Sequence, residues 1–302
     1  MKSKTILVTG GAGFIGRHLV KRLVDAGHQL AVVDNLSVGQ KTSLPAKVKF
    51  FRGQVEDPKL VNIFTRVRPE AVYHLAADNR VVSPVKSTLN SNIIGTYNVL
   101  TAAKKARARQ FIFTSSAAVF GDAKTFPITE THPTRPISPY GISKLTGEQY
   151  CQLFQSHFDT KILRFANVYG PGQSSTSEGG VVAIFISKLL AGEKPIIYGN
   201  GLQTRDFVFV ADVVEALVLC LKVQQSFTLN IGTNQAVTIK QLLKLTAKLI
   251  DQRVAFIQKS ARPEEIKKSL FEFKLANKTL GWRPQTSLAD GLAQTIAAFK
   301  KK

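Results

Sequence analysis

Residues Thr9–Gly16 read TGGAGFIG. Three of the glycines, spaced three apart, follow the short apolar run Thr5–Thr9 and open a segment whose apolar residues recur every four positions. A strand, a glycine-rich turn and a helix in this order can cradle a pyrophosphate. The glycines permit a tight turn and a close approach of the backbone, and the helix start offers free amides. The stretch therefore predicts a dinucleotide-binding βαβ unit.

An acidic residue ends the next apolar run of the chain. Leu30–Val33 is followed directly by Asp34, which stands about 20 residues beyond the glycines, the separation expected for a ribose-binding acid. A carboxylate at this point binds the adenosine ribose hydroxyls and repels a 2′-phosphate. We therefore expect the cofactor to be NAD rather than NADP.

The first part of the chain alternates between strand-like and helix-like patterns. Its short runs are rich in Val, Ile and Phe, and helical patterns separate them, which is typical of a parallel sheet covered on both faces. The predicted strands are Thr5–Thr9, Leu30–Val33, Val48–Phe51, Ala71–Ala76, Gln110–Thr114 and Lys161–Phe165.

After about Tyr169 the pattern loosens, and Pro171–Gly180 has the composition of a loop. Further elements are predicted beyond it: helices Val181–Ala191, Asp212–Val223, one capped by Thr238 that runs to Ile250, and Leu288–Phe299 after a Thr286 or Ser287 cap, with strands Pro195–Tyr198 and Phe207–Val210. We predict an α/β fold. Residues 1–168 form a Rossmann-type doubly wound parallel sheet that binds NAD, and residues 169–302 form a smaller α/β substrate domain, with chain crossings back to the first.

The composition is that of a globular but strongly basic protein. The chain has 302 residues, 44% of them apolar, and Lys and Arg number 41 against 20 Asp and Glu, a net charge of +21. Such a balance can indicate a polyanionic partner. The sequence has no finger, RNA-recognition or basic-helix motif, and its cations are scattered apart from Lys104–Arg109 and Lys300–Lys302. A solvated basic surface is therefore preferred, and nucleic-acid binding is not expected.

The cysteines and the apolar runs indicate a compartment. Cys151 and Cys220 lie in apolar stretches without a CxxC or Cys/His cluster, so we expect reduced thiols and no metal. The apolar run Ile6–Val8 ends too soon for a signal peptide, and Ala216–Leu221 is too short to span a bilayer. These features predict a cytoplasmic protein without membrane contact.

A tyrosine and a lysine lie one helical turn apart downstream of the glycines. Tyr140 and Lys144 form a YxxxK motif, and residues at i and i+4 share one helix face. A neighbouring ammonium favours the phenolate and can bring a phenol pKa toward working pH. Upstream, the run Phe111–Thr114 ends in Ser115 and Ser116, at the carboxyl edge of the predicted sheet. We predict that Ser116, Tyr140 and Lys144 converge on one crevice.

These residues together resemble the extended short-chain dehydrogenase/reductase family, and within it the UDP-glucose 4-epimerase group. The likeness runs from Thr5 to about Leu292. The motifs that carry it are Thr9–Gly16, Asp34–Ser37, His74–Ala77, Asn92 with Gly95-Thr96, Ser115–Gly121, Tyr140–Lys144, Arg164–Gly172, Tyr198–Gly201, Gln203–Asp206, Arg262-Pro263 and Leu280–Trp282 with Pro284.

The resemblance implies a role for each matching residue. Tyr140 would be the catalytic base, Lys144 its electrostatic partner, and Ser116 a hydrogen-bond partner of the reacting hydroxyl. Implied NAD contacts are Gly10, Gly13, Phe14, Ile15, Gly16, Asp34, Asn35, Ser37, Gly39, Gln54, Val55, Leu75, Ala76, Ala77, Asn92, Ser115, Tyr140, Lys144 and Phe165. Implied substrate contacts are Ser116, Asn167, Val181, Val182, Ile197, Tyr198, Arg205, Arg262 and Ser269, with the two arginines on the diphosphate.

The implied reaction is 4-epimerisation of a UDP-sugar through a transient 4-keto intermediate. Dehydratases of the family carry a carboxylate acid–base set beside the serine, whereas Ser115–Ala118 contains none, so elimination is not expected. The resemblance favours UDP-glucose/UDP-galactose. It also suggests UDP-GlcNAc/UDP-GalNAc, because Ser269 is small where a bulky tyrosine narrows the pocket of some relatives.

Several features depart from the family pattern. Gln54 replaces an adenine-contacting Asp, Phe120 replaces a Tyr, Glu264-Glu265 replaces a Gly-Asp, and the loop Asp78–Ser91 is shorter. A nucleotide-sugar reductase or dehydrogenase, or another epimerase of the family, is the enzymatic alternative. An NAD-binding regulator or a basic nucleic-acid binder is the non-enzymatic one. The resemblance also suggests a homodimer joined through the helices around Ile93–Lys105 and Pro139–Phe154.

Overall fold

A computed structural model describes residues 2–78, 85–176, 180–261 and 266–301. Its strands are β1 (Thr5–Thr9), β2 (Gln29–Asp34), β3 (Lys49–Arg52), β4 (Ala71–His74), β5 (Gln110–Ser116), β6 (Asp159–Phe165), β7 (Asn167–Tyr169), β8 (Ile196–Tyr198), β9 (Thr204–Phe209), β10 (Phe227–Ile231), β11 (Ala236–Thr238) and β12 (Ile257–Lys259). Its α-helices are α1 (Phe14–Asp25), α2 (Leu60–Val67), α3 (Val85–Thr88), α4 (Gly95–Lys105), α5 (Pro139–Leu153), α6 (Val181–Leu190), α7 (Val210–Leu219), α8 (Ile239–Ile250), α9 (Lys274–Leu280) and α10 (Leu288–Lys300). A π-helix spans Leu89–Ile94, and 3₁₀ turns span Lys41–Ser43, Ala117–Phe120 and Cys220–Lys222.

The main sheet has seven strands in the order β10-β6-β5-β4-β1-β2-β3. The pairs β1–β2, β1–β4, β2–β3 and β4–β5 are parallel. Chain order reverses between β1 and β4, and the carboxyl ends of strands at such a reversal are where doubly wound sheets bind ligands. The predicted Rossmann-type fold is confirmed, and the glycine-rich stretch follows β1 at this reversal.

Some elements differ from the sequence prediction. Strand β10 was not predicted, because its alternating sequence FTLNI lies far along the chain from β6, its neighbour in the sheet. The helical segment predicted from Ile93 begins within the π-helix Leu89–Ile94 and continues as α4 from Gly95, and π-turns often occur at functional sites. Thr238 and Ser287 are the N-caps of α8 and α10, each accepting a hydrogen bond from a backbone amide in the first turn.

The described chain divides into two compact units. The first contains residues 1–119, 138–164 and 214–229, and the second contains residues 120–137, 165–213 and 230–302. A buried cluster that includes Leu7, Val33, Phe64 and Phe111 forms a core of the first unit. The second unit holds a three-stranded sheet, β11-β9-β7, and a two-stranded sheet, β12-β8. The boundary at residue 168 between an NAD domain and a substrate domain stays a prediction.

None of the helices in the described ranges is long and apolar enough to cross a membrane.

Candidate active site

Two glycines of the loop after β1 are required by the packing of the protein itself. Gly10 has a φ of +69°, and a Cβ added there would lie 2.6 Å from the backbone nitrogen of Ala76 at the end of β4. A Cβ on Gly16 would overlap the carbonyl oxygen of Gly10. Any side chain at these positions would separate the loop from β4 or open the turn. The local fold therefore depends on Gly10 and Gly16.

Gly13 is different, because the protein does not require a glycine there. It is the N-cap of α1 with a φ of −70° and a ψ of −175°, which any residue can adopt, and an added Cβ would meet only the Gly10 oxygen at 3.3 Å. In a dinucleotide-binding turn the middle glycine lets the pyrophosphate approach the backbone. The residues present thus fit a dinucleotide, and Gly13 is the position that the ligand itself would constrain.

Asp34 is joined directly to the glycine loop. Its Oδ2 accepts a hydrogen bond from the Ala12 amide at 2.9 Å, and its Oδ1 accepts one from the Leu36 amide at 2.8 Å. A Cβ on Gly39 would overlap the Ala12 oxygen, so the segment after β2 also lies against the loop. Each carboxylate oxygen has a further lone pair for a ribose hydroxyl. The role of Asp34 in selecting NAD stays a prediction.

The other predicted cofactor residues lie around the same edge, apart from Phe165. Leu75, Ala76 and Ala77 are half-buried and follow β4, while Val55 is buried. The side chains of Phe14 and Ile15 are half-buried at the start of α1, whereas those of Asn35, Ser37 and Gln54 are exposed. Phe165 belongs to the second unit and is buried. The contacts of these residues with NAD stay predictions.

Asn92 has a positioning role within the protein. Its Oδ1 accepts a hydrogen bond from the Asp78 amide at 2.7 Å, and its Nδ2 donates to the Asp78 carbonyl and to the Ser143 hydroxyl, both at 2.9 Å. The Ser143 hydroxyl donates in turn to the Tyr140 carbonyl at 2.8 Å. The side chain of Asn92 therefore ties the π-helix to the segment after β4 and to the first turn of α5.

A buried histidine that sequence reasoning did not assign a role supports the same region. His74 contacts the Thr9 hydroxyl through Nδ1 at 2.7 Å and the Thr96 hydroxyl through Nε2 at 2.9 Å. The Thr96 hydroxyl donates to the Asn92 carbonyl at 2.6 Å, so it accepts from His74, and the network assigns the proton to Nε2. Burial, and then the charge of Lys144, lower the pKa of His74 to about 3. His74 is therefore neutral.

The first unit brings Ser116, Tyr140 and Lys144 together at the carboxyl end of β5. The Ser116 and Tyr140 side chains are hydrogen-bonded, and the Lys144 Nζ lies 5.9 Å from the centre of the Tyr140 ring. Ser138 caps α5 by accepting from the Gly141 amide at 3.1 Å, with Pro139 at the first helical position. This start places Tyr140 in the first turn of the helix. The predicted convergence of the three side chains is present in the structure.

The pKa of Tyr140 differs from the expectation. Burial raises it to about 12, and the Ser116 hydrogen bond lowers it only in part. The Lys144 Nζ donates to the Thr114 carbonyl at 2.9 Å instead of contacting the phenol oxygen directly, and burial lowers the pKa of this amine to about 8. The predicted lowering of the phenol pKa by the neighbouring ammonium is not found in this structure, because removal of both groups from water is the largest effect on each.

Sequence reasoning missed one charged group beside this site. Glu148 lies one turn beyond Lys144 on α5 and is buried, and it receives hydrogen bonds from Arg164 and Ser115. The i+4 spacing from Lys144 was the signal that could have identified it. Ser115 was predicted to contact the cofactor, whereas its hydroxyl donates to Glu148.

The predicted substrate residues that the structure describes, apart from Ser116, belong to the second unit. Asn167 on β7 and Arg205 on β9 are half-buried, and the Arg205 Nη1 donates to the Thr204 carbonyl at 2.9 Å. Ser269 is 5% exposed, its amide donates to the Thr204 carbonyl at 3.2 Å, and its hydroxyl has no hydrogen-bond partner among the described residues. Val182 and Ile197 are buried, and Val181 and Tyr198 are half-buried. Arg262 lies outside the described residues.

The basic cluster of the sequence has a defined place. Lys104, Arg107 and Arg109 line a surface depression together with His157 at the ends of α4 and α5. Cations near helix C-termini are favoured by the helix dipole. The cluster needs no polyanionic partner for its explanation.

Residues 6–232 match the NAD dependent epimerase/dehydratase family. The chain is 36% identical over 310 residues to UDP-glucose 4-epimerase of Mycolicibacterium smegmatis, with 98% of each chain covered. It is similar to the crystal structure of UDP-glucose 4-epimerase with UDP-glucose from Thermotoga maritima, with a TM-score of 0.96, 40% identity and 98% of each chain covered. It is also similar to Thermus thermophilus UDP-glucose 4-epimerase in complex with NAD, with a TM-score of 0.93, 34% identity and 98% of each chain covered.

Proposed function

The chain belongs to the NAD dependent epimerase/dehydratase family, and from that premise we propose that it is an NAD-dependent UDP-sugar 4-epimerase acting on UDP-glucose and UDP-galactose. The observation that carries the proposal is the convergence of Ser116, Tyr140 and Lys144 in the unit that holds the glycine loop. The segment Ser115–Ala118 offers no carboxylate for an elimination. An isomerase of carbohydrate metabolism needs only one acid–base group here, and Tyr140 supplies it.

NAD is the cofactor, and the loop Gly10–Gly16 together with Asp34 would hold it. The free amides at the start of α1 would bind its pyrophosphate, and the Asp34 carboxylate, which contacts the Ala12 amide, would bind a ribose hydroxyl. When bound, NAD would supply a reversible hydride acceptor for carbon 4 of the sugar, without net consumption of the cofactor.

The side chains of the first unit handle the proton. Tyr140 is a phenol in this structure, because burial raises its pKa to about 12. It must therefore be ionised before it accepts the proton of the sugar 4-hydroxyl, and it returns that proton when the 4-keto sugar is reduced. Ser116, which lowers the pKa of the phenol, and the nearby Lys144 ammonium would favour the phenolate. We assign Asn167 and Arg205 of the second unit, with Arg262, to the UDP moiety.

Measuring interconversion without added cofactor tests this function. Purified protein is incubated with UDP-glucose alone, and UDP-galactose is followed by proton NMR, while NAD released on denaturation is quantified. We expect interconversion to equilibrium with NAD present in the purified protein. A requirement for added NAD(H) in proportion to product would overturn the epimerase assignment and point to a nucleotide-sugar dehydrogenase or reductase.

We further propose that N-acetylated UDP-sugars are accepted. Ser269 is small and buried, and its hydroxyl is unsatisfied among the described residues. A tyrosine at this position would fill the volume that an acetamido group needs. The matched test compares UDP-GlcNAc and UDP-glucose in the wild type and in Ser269→Tyr, with Ser269→Ala as the control. Loss of UDP-GlcNAc turnover in Ser269→Tyr alone is expected, and equal rates in all three proteins would contradict the idea.

A homodimer is the proposed assembly. Four large hydrophobic side chains on the π-helix, α4 and α5 are between 47% and 73% exposed: Ile94, Tyr97, Ile142 and Leu153. The ring of Tyr97 lies 5.7 Å from that of Tyr150, so α4 and α5 form one apolar face. A second copy would cover it. Sedimentation of the wild type and of Ile142→Glu tests this, and a monomeric wild type would contradict it.

A cytoplasmic location also stays a prediction.

A further inference from the structure

Three consecutive residues at the end of β5 each hold one side chain of α5. The side chains that they hold lie on successive turns of α5 and face the strand. The pairs are Thr114 with Lys144, Ser115 with Glu148, and Ser116 with Tyr140. Lys144 and Tyr140 take part in the proposed reaction. Glu148 makes no hydrogen bond to either of them. Its position in the same row suggests that it serves them.

Glu148 is held more firmly than either of its neighbours. It is 1% exposed, and Arg164 on β6 is 7% exposed. The Arg164 Nε donates to Oε1 at 2.9 Å and its Nη2 donates to Oε2 at 2.7 Å, while the Ser115 hydroxyl donates to Oε1 at 2.5 Å. A bidentate pair of this kind fixes distance and angle together. The carboxylate therefore fastens α5 to both β5 and β6.

We propose that Glu148 is a positioning residue for catalysis, which through Arg164 and Ser115 sets the place of α5 and supplies the fixed negative charge that keeps Lys144 an ammonium. The inference rests on the proposed function, since it assigns a purpose to this pair within that reaction. Glu148 does not touch substrate or cofactor, and it acts through Lys144 and Tyr140.

The charge environment of Lys144 supports the second half of the proposal. Burial lowers the pKa of Lys144 to about 8, and Cys151 and Glu148 act in the opposite direction. The Cys151 thiol is neutral near pH 7, because burial raises its pKa well above the usual value. His74 and Tyr140, the other titratable neighbours, are also neutral there. Glu148, which is ion-paired with Arg164, is thus the carboxylate neighbour that stabilises the ammonium.

The packing beneath the pair suggests that variants will fold. A Cβ added to Gly147 would lie 2.5 Å from the Phe113 Cζ, so α5 lies against β5 independently of Glu148. The isosteric change Glu148→Gln removes the charge and keeps the volume. Glu148→Asp keeps the charge, but its side chain is one methylene shorter, so the carboxylate lies further from Arg164. The two variants therefore separate the charge of Glu148 from its reach.

The test uses the purified protein with its bound NAD and two readouts. The first is the titration of the Lys144 side chain, followed by NMR of ¹³Cε-labelled lysine and assigned with Lys144→Arg. In Glu148→Gln we expect the pKa of Lys144 to fall by about one unit, the usual effect of losing one near charge. The second is the pH profile of kcat for UDP-glucose, whose alkaline limb should move to lower pH by a similar amount. In Glu148→Asp, kcat should fall while the limb and the KM stay in place.

Tyr73→Phe is the control, since it removes another buried hydrogen bond of the first unit, from the Tyr73 hydroxyl to the Leu217 carbonyl at 2.9 Å, away from the reaction. It should lower stability without moving the pKa of Lys144 or the limb. An unchanged pKa of Lys144 in Glu148→Gln would overturn the proposal. Should that variant not fold, wild-type kcat in both Glu148→Asp and Arg164→Lys would overturn it. The NMR titration needs no turnover, so an absence of epimerase activity would contradict the proposed function and leave this inference testable.

Discussion

The amine nitrogen of Lys144 lies 5.9 Å from the centre of the Tyr140 ring, one helical turn away. The Nζ donates its hydrogen bond to the Thr114 carbonyl, so the ammonium acts on the neutral phenol only through its own positive charge. The phenol therefore depends on its surroundings for its basicity. Ser116 is the neighbour that acts against burial and lowers the pKa of the phenol.

Removing the phenol oxygen should stop the reaction and spare cofactor binding. We expect Tyr140→Phe to lower kcat by a factor of about 10²–10⁴, the usual contribution of a general acid–base group. The NAD content of the purified protein should match the wild type, because the glycine loop and Asp34 do not involve the phenol oxygen. Proton NMR of the UDP-sugar and absorbance of released NAD measure the two effects. Activity within twofold of the wild type would remove Tyr140 from the assigned role.

The glycine loop offers a comparison between two similar substitutions. Gly13→Ala should change the free energy of unfolding by no more than about 0.5 kcal/mol, because its backbone conformation suits alanine. It should still weaken NAD binding, since a methyl group would stand where the pyrophosphate approaches. Gly16→Ala should cost about 1–3 kcal/mol of stability, because its Cβ would overlap the Gly10 carbonyl.

Chemical denaturation and titration of NAD into the stripped protein separate these outcomes. A Gly13→Ala protein that binds NAD with wild-type affinity would show that the pyrophosphate does not pass this position. A Gly16→Ala protein of unchanged stability would show that the loop can shift away from the overlap.

Local sequence patterns predicted the parts of the site that depend on neighbours in the chain. The glycine spacing, Asp34 after its strand and the i+4 pair Tyr140–Lys144 are all short-range signals. In the structure Asp34 contacts the glycine loop, and Lys144 lies near the Tyr140 ring. The contact of Lys144 with Thr114 spans 30 positions and that of Glu148 with Arg164 spans 16. No periodicity encodes such pairs, because the sheet order decides which residues meet.

The direction of the Tyr140 pKa shift could not be predicted from the sequence for a related reason. A motif names the charges nearby but not the water that folding removes, and here burial is the larger effect. Strand β10 was missed similarly, since it pairs with a strand that ends more than sixty positions earlier. The sequence patterns therefore predicted the chemistry of the site better than its electrostatics.

Asp206 should be a major source of stability in the second unit. Its buried carboxylate accepts hydrogen bonds from the Thr233 amide and hydroxyl at 2.8 and 2.6 Å, and from the Asn234 and Phe271 amides, both at 3.1 Å. In Asp206→Asn the Nδ2 atom would replace one carboxylate oxygen. This nitrogen would face hydrogen-bond donors, and it cannot accept a hydrogen bond. We expect a loss of about 2–4 kcal/mol, measured by urea denaturation.

Asp212→Asn is the matched control for that change. The Asp212 Oδ2 accepts from one backbone amide, that of Thr286, at 3.0 Å. Its loss should be clearly smaller, about 1 kcal/mol. Equal losses in the two variants would show that the hydrogen bonds of Asp206 contribute no more than a single bond does.

Lys161 should make the stability of the protein depend on alkaline pH. Its side chain is buried on β6, and its Nζ has no hydrogen-bond partner among the described residues. Burial lowers its pKa from 10.5 to about 8, with Cys220 and Asp159 opposing the shift. The unfolded chain therefore binds more protons than the folded one between pH 8 and 10.5. The free-energy cost of burying the Lys161 ammonium is fully present below pH 8. It decreases as the pH rises from 8 to 10.5.

Lys161→Met keeps the length of the side chain and removes the charge. At pH 7 we expect this variant to be more stable than the wild type by about 2 kcal/mol, since one pKa unit corresponds to about 1.4 kcal/mol and part of the shift is relieved by relaxation. The advantage should shrink as the pH approaches 10. Urea denaturation of both proteins at several pH values measures the difference in their free energies of unfolding. The titration of Lys144 occurs in both proteins and therefore cancels in this difference. A constant difference across the range, or a variant less stable than the wild type at pH 7, would mean that the Lys161 ammonium is stabilised in the folded state.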